Sequence, residues 1–107
     1  MRDATVSRID SLKALAEKEP KNALIHYMLA NEHLKTRHYE DALEELDLYF
    51  GMVDDEGSGY RMAAMAHLAL GREDSAKEAY RKGIDAASRH HHASMVSEFE
   101  AALEELS

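Results

Sequence analysis

The chain has 107 residues, 45% hydrophobic and 32% charged, with a formal net charge of −8 and no cysteine. That length suits one domain around a single core, and the missing cysteines exclude a disulfide framework and thiolate metal sites. The acidic balance argues against a phosphate-binding surface, so no nucleic-acid partner is expected.

The elements follow in chain order. Val6, Ile9, Leu12, Leu15 and Ala16 recur at helical spacing before Pro20, which predicts a first helix over residues 4–19. Asn22 is a suitable N-cap for a second helix carrying Ile25, Leu29, Ala30 and His33 on one face. KTRH is the turn into a third helix, which starts at Tyr39 and buries Ala42, Leu43, Leu46, Tyr49 and Phe50. That helix is expected to end within residues 51–59, where DDEGSG is rich in turn formers. A fourth helix is predicted from about Tyr60 to Leu70, with Gly71 as its left-handed stop. A fifth begins near Glu73, where acidic side chains suit the helix dipole, and buries Ala76, Tyr80, Gly83, Ile84 and Ala87. RHHH ends it, and a sixth helix carries Val96, Phe99, Leu103 and Leu106 at helical intervals. No strand pattern occurs, so the expected class is all-α, with about six antiparallel helices.

The opening MRDATVSRIDSLKALAEKEP lacks the apolar centre of a signal peptide, and no run approaches the roughly eighteen apolar residues of a membrane span. The expectation is a soluble, cytoplasmic protein with no membrane partner. Residues 40–56 hold eight acidic side chains and no Lys or Arg, and read as a solvated outer face of the third helix. Steering of a basic partner is the alternative.

The helices keep a common phase. Ala42 and Ala76 are 34 residues apart, as are His26 and Tyr60, Ala30 and Ala64, His33 and His67, and Leu46 and Tyr80. A 34-residue period of helix–turn–helix units resembles the tetratricopeptide repeat family, whose pattern is W-x2-L-G-x2-Y, then A-x3-F, then P. The first unit reads His26-x2-Leu29-Ala30-x2-His33 and Ala42-x3-Leu46; the second reads Tyr60-x2-Ala63-Ala64-x2-His67 and Ala76-x3-Tyr80. Pro20 lies 34 residues before Asp54 and matches the closing Pro of a preceding half-repeat. Departures are the His residues at 26, 33 and 67, Ala63 for Leu, and Asp54 for Pro.

The resemblance covers residues 8–88. It implies a right-handed superhelix within one domain: a half-repeat helix 4–19, repeats over 23–56 and 57–90, and a capping helix 93–106. It further implies function by binding, with the first helix of each repeat lining a concave groove. The groove positions are then Leu24, Tyr27, Asn31, Leu34 and Lys35 in one repeat and Arg61, Met65, Leu68 and Ala69 in the other. Asn31 matches one position of the family's carboxylate clamp, but Tyr27 and Met62 stand where Lys and Asn are needed, so a chaperone-tail clamp is not expected.

The seven histidines are candidate metal ligands by residue type. Consecutive His90, His91 and His92 point about 100° apart on a helix and do not converge there. His33 and His67 read as core or groove-edge replacements for aromatics. No H-E-x-x-H, G-x-S-x-G or phosphate loop occurs, and paired carboxylates such as Glu44 and Glu45 read as surface charge. The expectation is therefore no enzyme, no metal and no cofactor, but a peptide- or protein-binding adaptor. The alternative is a self-assembling structural subunit, a homo-oligomer through its groove or helix ends.

Overall fold

A computed structural model describes residues 4–107, with side chains from Arg8 onward; the predicted role of Val6 lies outside the described residues. The described chain forms helices α1 (Ala4–Lys18), α2 (Ala23–Lys35), α3 (Tyr39–Phe50), α4 (Ser58–Ala69), α5 (Glu73–Arg89) and α6 (Ala93–Leu106), and contains no strand. None of these helices is long and apolar enough to cross a membrane. The chain divides into two compact units, Met1–Val53 with α1–α3 and Asp54–Ser107 with α4–α6.

In the first unit α1 packs on α2 and α2 on α3. Asn22 caps α2 as its sequence suggests, its side chain accepting a hydrogen bond from the Leu24 amide at 3.2 Å. Ile9 and Leu12 of α1 meet Ile25 and Leu29 of α2, with Ala16 at the edge of this core. Leu15, expected in the stripe, is exposed. It sits about 100° around the helix from Ala16, and α1 packs on only one partner within its unit, so a narrow stripe suffices. Ala30 on α2 and Ala42 on α3 are fully buried, beside Leu29 and Leu46.

A buried histidine fastens this unit. His26 Nδ1 lies 2.6 Å from the Glu45 carboxylate on α3, and Nε2 lies 2.7 Å from the Pro20 carbonyl in the α1–α2 turn. A carboxylate and a carbonyl both accept hydrogen bonds, so the two contacts together favour a ring that donates from both nitrogens, the imidazolium. Burial disfavours that charge, but the Glu45 hydrogen bond, the Pro20 carbonyl and the Glu45 charge outweigh it, raising the His26 pKa above its ordinary value. Two sequence expectations are corrected here. His26 is a charged bridge as well as an aromatic replacement, and Glu45 is half-buried against it, while Glu44 remains exposed.

Three of the reversals, α2–α3, α4–α5 and α5–α6, share one backbone design. Arg37, Gly71 and His91 adopt left-handed φ values of 63°, 74° and 60°. Each is followed by an amide that reaches back to a carbonyl near the preceding helix end at 2.8 Å: His38 to His33, Arg72 to His67, and His92 to Ala87. This is the six-to-one bond of a Schellman stop. Arg37 and Gly71 are 34 residues apart, so the sequence period is carried by the turns as well as by the buried alanines. Such short connections make the joined helices antiparallel neighbours.

In the second unit α5 packs on both α4 and α6. α4 starts at Ser58, earlier than predicted, because the buried Asp55 carboxylate accepts the amides of Gly57 and Gly59, both at 2.8 Å, and so satisfies two donors that a helix start leaves unpaired. With two neighbours, α5 buries a broad face: Ala76, Ala79, Tyr80, Gly83, Ala86 and Ala87, whereas Ile84 is only half-buried. Phe99 of α6 is fully buried, its ring 5.6 Å from that of Tyr80. Val96, Leu103 and Leu106 flank it half-buried.

Two predictions follow from this packing. A Cβ on Gly83 would stand 2.7 Å from Phe99 Cε2 and 3.2 Å from Tyr60 Cβ. Gly83→Ala should therefore lower stability by about 1–3 kcal/mol, as overpacking does, despite the gain of roughly 1 kcal/mol in helix propensity; denaturant melts measure it. For His26 the folded pKa is raised, so its contribution is complete below the ordinary value of about 6.5 and is lost as pH rises through the folded value. His26→Phe should destabilise by about 1–3 kcal/mol at mildly acidic pH and flatten this alkaline decline, read from melts across pH.

Candidate functional site

The described residues place Tyr27, Asn31 and Lys35, three of the predicted groove positions, around one concavity of about 320 Å³ in the first unit. These three positions were the ones implied by the repeat resemblance, and, four residues apart on α2, they share a face. α1 supplies the opposite wall through Arg8 and Leu12, and Met28 and Glu32 of α2 complete the lining. Tyr27 is braced from α3: its ring centroid lies 5.1 Å from that of Tyr49. Asn31 is half-buried and Lys35 exposed.

The electrostatics of this concavity centre on Glu32, which is buried although it is a carboxylate. Arg8 Nη1 donates to Glu32 Oε1 at 2.9 Å, and Lys35 Nζ lies 3.5 Å from the same oxygen. The Arg8 hydrogen bond holds the Glu32 carboxyl below its ordinary range against the opposing effect of burial, and the Arg8 and Lys35 charges add to it. One carboxylate facing two cations leaves the rim a formal charge of +1, beside an amide, a phenol ring and the apolar Leu12 and Met28. The concavity offers an apolar floor with hydrogen-bond donors at its edge, and no nucleophile–base pair.

Arg8 and Glu32 were missed by sequence reasoning. Their pairing spans 24 residues and depends on how α1 lies on α2, which no local spacing reveals. The available signal was Glu32 itself, a carboxylate next to the His33 core position and three residues before Lys35.

The other groove positions fall elsewhere. Leu24 is exposed and Leu34 half-buried on α2, outside the lining of that concavity. In the second unit Met65, Leu68 and Ala69 are exposed on α4. Arg61 is turned toward α6, where Nε and Nη2 donate to the two Glu98 carboxylate oxygens at 2.6 and 2.7 Å and the guanidinium lies 5.5 Å from the Phe99 ring centroid. With His91, His92, Met95 and Glu98 it lines a second, more open concavity of about 500 Å³.

The C-terminal histidines are not a bare helix end. His90 Nε2 lies 3.0 Å from Asp54 Oδ2, and His92 Nε2 lies 2.6 Å from Glu56 Oε1. Arg89 donates to both Asp54 oxygens, at 3.0 and 3.2 Å. The Arg89 hydrogen bond and then that of His90 hold Asp54 below its ordinary pKa, and His92 does the same for Glu56. Part of the acidic run thus clasps the α5–α6 turn. His33 is buried and His67 half-buried, in keeping with core or edge positions.

No protein-family model, curated protein or solved structure matches the chain.

The Arg61–Glu98 fork ties α4 to α6 in the second unit. Glu98→Gln should cost about 0.5–1 kcal/mol, the range for an exposed pair of good geometry. The Arg61 hydrogen bond lowers the Glu98 pKa, so the wild-type contribution is present above the unfolded carboxylate value and lost as pH falls through the folded one. Acid melts of both proteins should therefore converge.

Proposed function

We propose that the chain is a tetratricopeptide-type repeat scaffold, a non-catalytic adaptor that binds a short peptide or protein segment on the α2 side of its first unit. The observation that carries the reading is the concavity where Tyr27, Asn31 and Lys35 meet Arg8 and Glu32. Its supports are the fully buried alanines at positions 30, 42, 64 and 76 and the left-handed turns at 37 and 71, all in 34-residue phase. On this reading the helix pairs stack as a right-handed superhelix, and α6 covers the open face of α5. Aromatic and arginine side chains are the residue types most often found as binding hot spots. The net cationic rim selects a segment carrying an acidic group next to an apolar anchor.

Selection of a random peptide library on the immobilised protein tests this directly. Enriched peptides should pair an acidic with a large apolar residue, and Tyr27→Ala or Lys35→Ala should weaken them by roughly 5- to 150-fold, about 1–3 kcal/mol. Peptides that bind both variants as they bind wild type would remove the concavity as the site. The self-assembly reading has its own support in the exposed pairs Leu24 with Met28 on α2 and Met65 with Leu68 on α4. A mass that doubles with concentration in light scattering, and reverts on Leu24→Gln with Met65→Gln, would select it.

A further inference from the structure

The turn between α2 and α3 gathers two histidines and an aspartate. His33, His38 and Asp41 each bring one ligand-type atom to within 4.8 Å of the other two. We propose that these three side chains form a binding site for a divalent first-row transition metal ion of the zinc class, with water completing the coordination.

The arrangement comes from the backbone. His33 stands near the end of α2, His38 caps the start of α3, and Asp41 is one turn further on. The left-handed residue Arg37 and the 2.8 Å bond from the His38 amide to the His33 carbonyl bring the two histidines together across the turn. Their rings lie edge to face with centroids 5.9 Å apart, so neither stacks over the other's nitrogens.

His33 points to a ligand most directly. It is 4% exposed, and its Nδ1 is buried without a hydrogen-bond partner. A buried polar atom left unpaired is unfavourable, and such atoms are few in folded proteins. His38 Nδ1 lies 3.0 Å from the Thr36 hydroxyl, which leaves Nε2 as the nitrogen available to an ion. A hydrogen bond on the far ring nitrogen is the usual outer support of a metal-binding histidine.

Metal–nitrogen bonds of about 2.0–2.1 Å place two ligands of one ion at most about 4.2 Å apart, so the cluster must close slightly. His38 and Asp41 are exposed and can rotate inward onto the fixed His33. Two nitrogens and one carboxylate oxygen suit zinc, copper or nickel better than calcium or magnesium, which prefer oxygen ligands throughout. An ion there would staple the end of α2 to the start of α3, and its binding energy would add to the stability of the first unit.

The test is zinc titration calorimetry on the full chain without a histidine tag, with cobalt absorption to read the coordination. His38→Ala and Asp41→Asn are surface changes that leave folding intact, whereas His33→Asn alters the core. Expected are one zinc per chain, at least about tenfold weaker binding in each surface variant, and unchanged binding in His90→Gln/His92→Gln. Zinc should raise the melting temperature of wild type but not of Asp41→Asn. Absence of stoichiometric binding, wild-type affinity in both His38→Ala and Asp41→Asn, or loss confined to the His90/His92 variant would each overturn the site.

Discussion

Helix pairs that close over alanine set the terms for each unit of this chain. Ala30 and Ala42 in the first unit, and Ala64, Ala66, Ala76, Ala86 and Ala87 in the second, are wholly buried. Interaxial distance depends on the side chains at the crossing, and a methyl group permits the short end of the 8–10 Å range. Aliphatic side chains such as Leu29 and Leu46 fill the space beside these crossings, and most of the aromatic rings lie at the margins. Tyr27 and Tyr49 meet at such a margin, and Phe99 reaches the interior only where Gly83 supplies the missing space. The exposed polar and half-buried aromatic side chains are therefore found at the rims of these pairs.

This constraint explains what could be read in the sequence and what could not. Alanines and turn formers act locally, so the helix order, the Asn22 cap, the Gly71 stop and the buried faces of α2 and α5 were legible from spacing. The misplaced details depend on neighbours. Leu15 emerges because α1 has a narrow contact, Ile84 because it sits at the edge of the α5 face, and Ser58 becomes helical because Asp55 reaches forward to cap it. At the candidate site Tyr27, Asn31 and Lys35 follow from the repeat resemblance and share one helical face. Arg8 and Glu32 do not, since a carboxylate on a helix reads as solvated until a second helix is laid beside it.

The buried polar groups divide the labour with the alanines. Apolar contacts tolerate sliding and rotation, whereas a hydrogen bond with poor geometry leaves a desolvated group without compensation. His26 joins the Pro20 turn to α3, Glu32 joins α2 to α1, and Asp55 fixes the start of α4. The first two tie segments whose apolar surfaces alone would permit several registers, and Asp55 sets the register of its own helix start. Polar specificity of this kind suits a small unit whose core is built largely from alanine and leucine, because methyl groups fill space without defining a unique fit.

The left-handed turns have a consequence for how such a chain can diversify. In all three, the reversal is made by backbone amides and carbonyls, with side chains as different as Arg37, Gly71 and His91 at the same conformation. A non-glycine residue there costs about 1–2 kcal/mol, so two of these turns hold strain that the packed helices absorb. The reversal itself is closed by backbone groups, so the left-handed position accepts different side chains, while its neighbours make bonds of their own: Thr36 to the Glu32 and His33 carbonyls, His90 to Asp54 and His92 to Glu56. One such position can carry an imidazole, another a guanidinium, another nothing, while the helices on either side keep their register. The left-handed positions are thus natural grafting points, where new chemistry can be written into the chain at little risk to its fold.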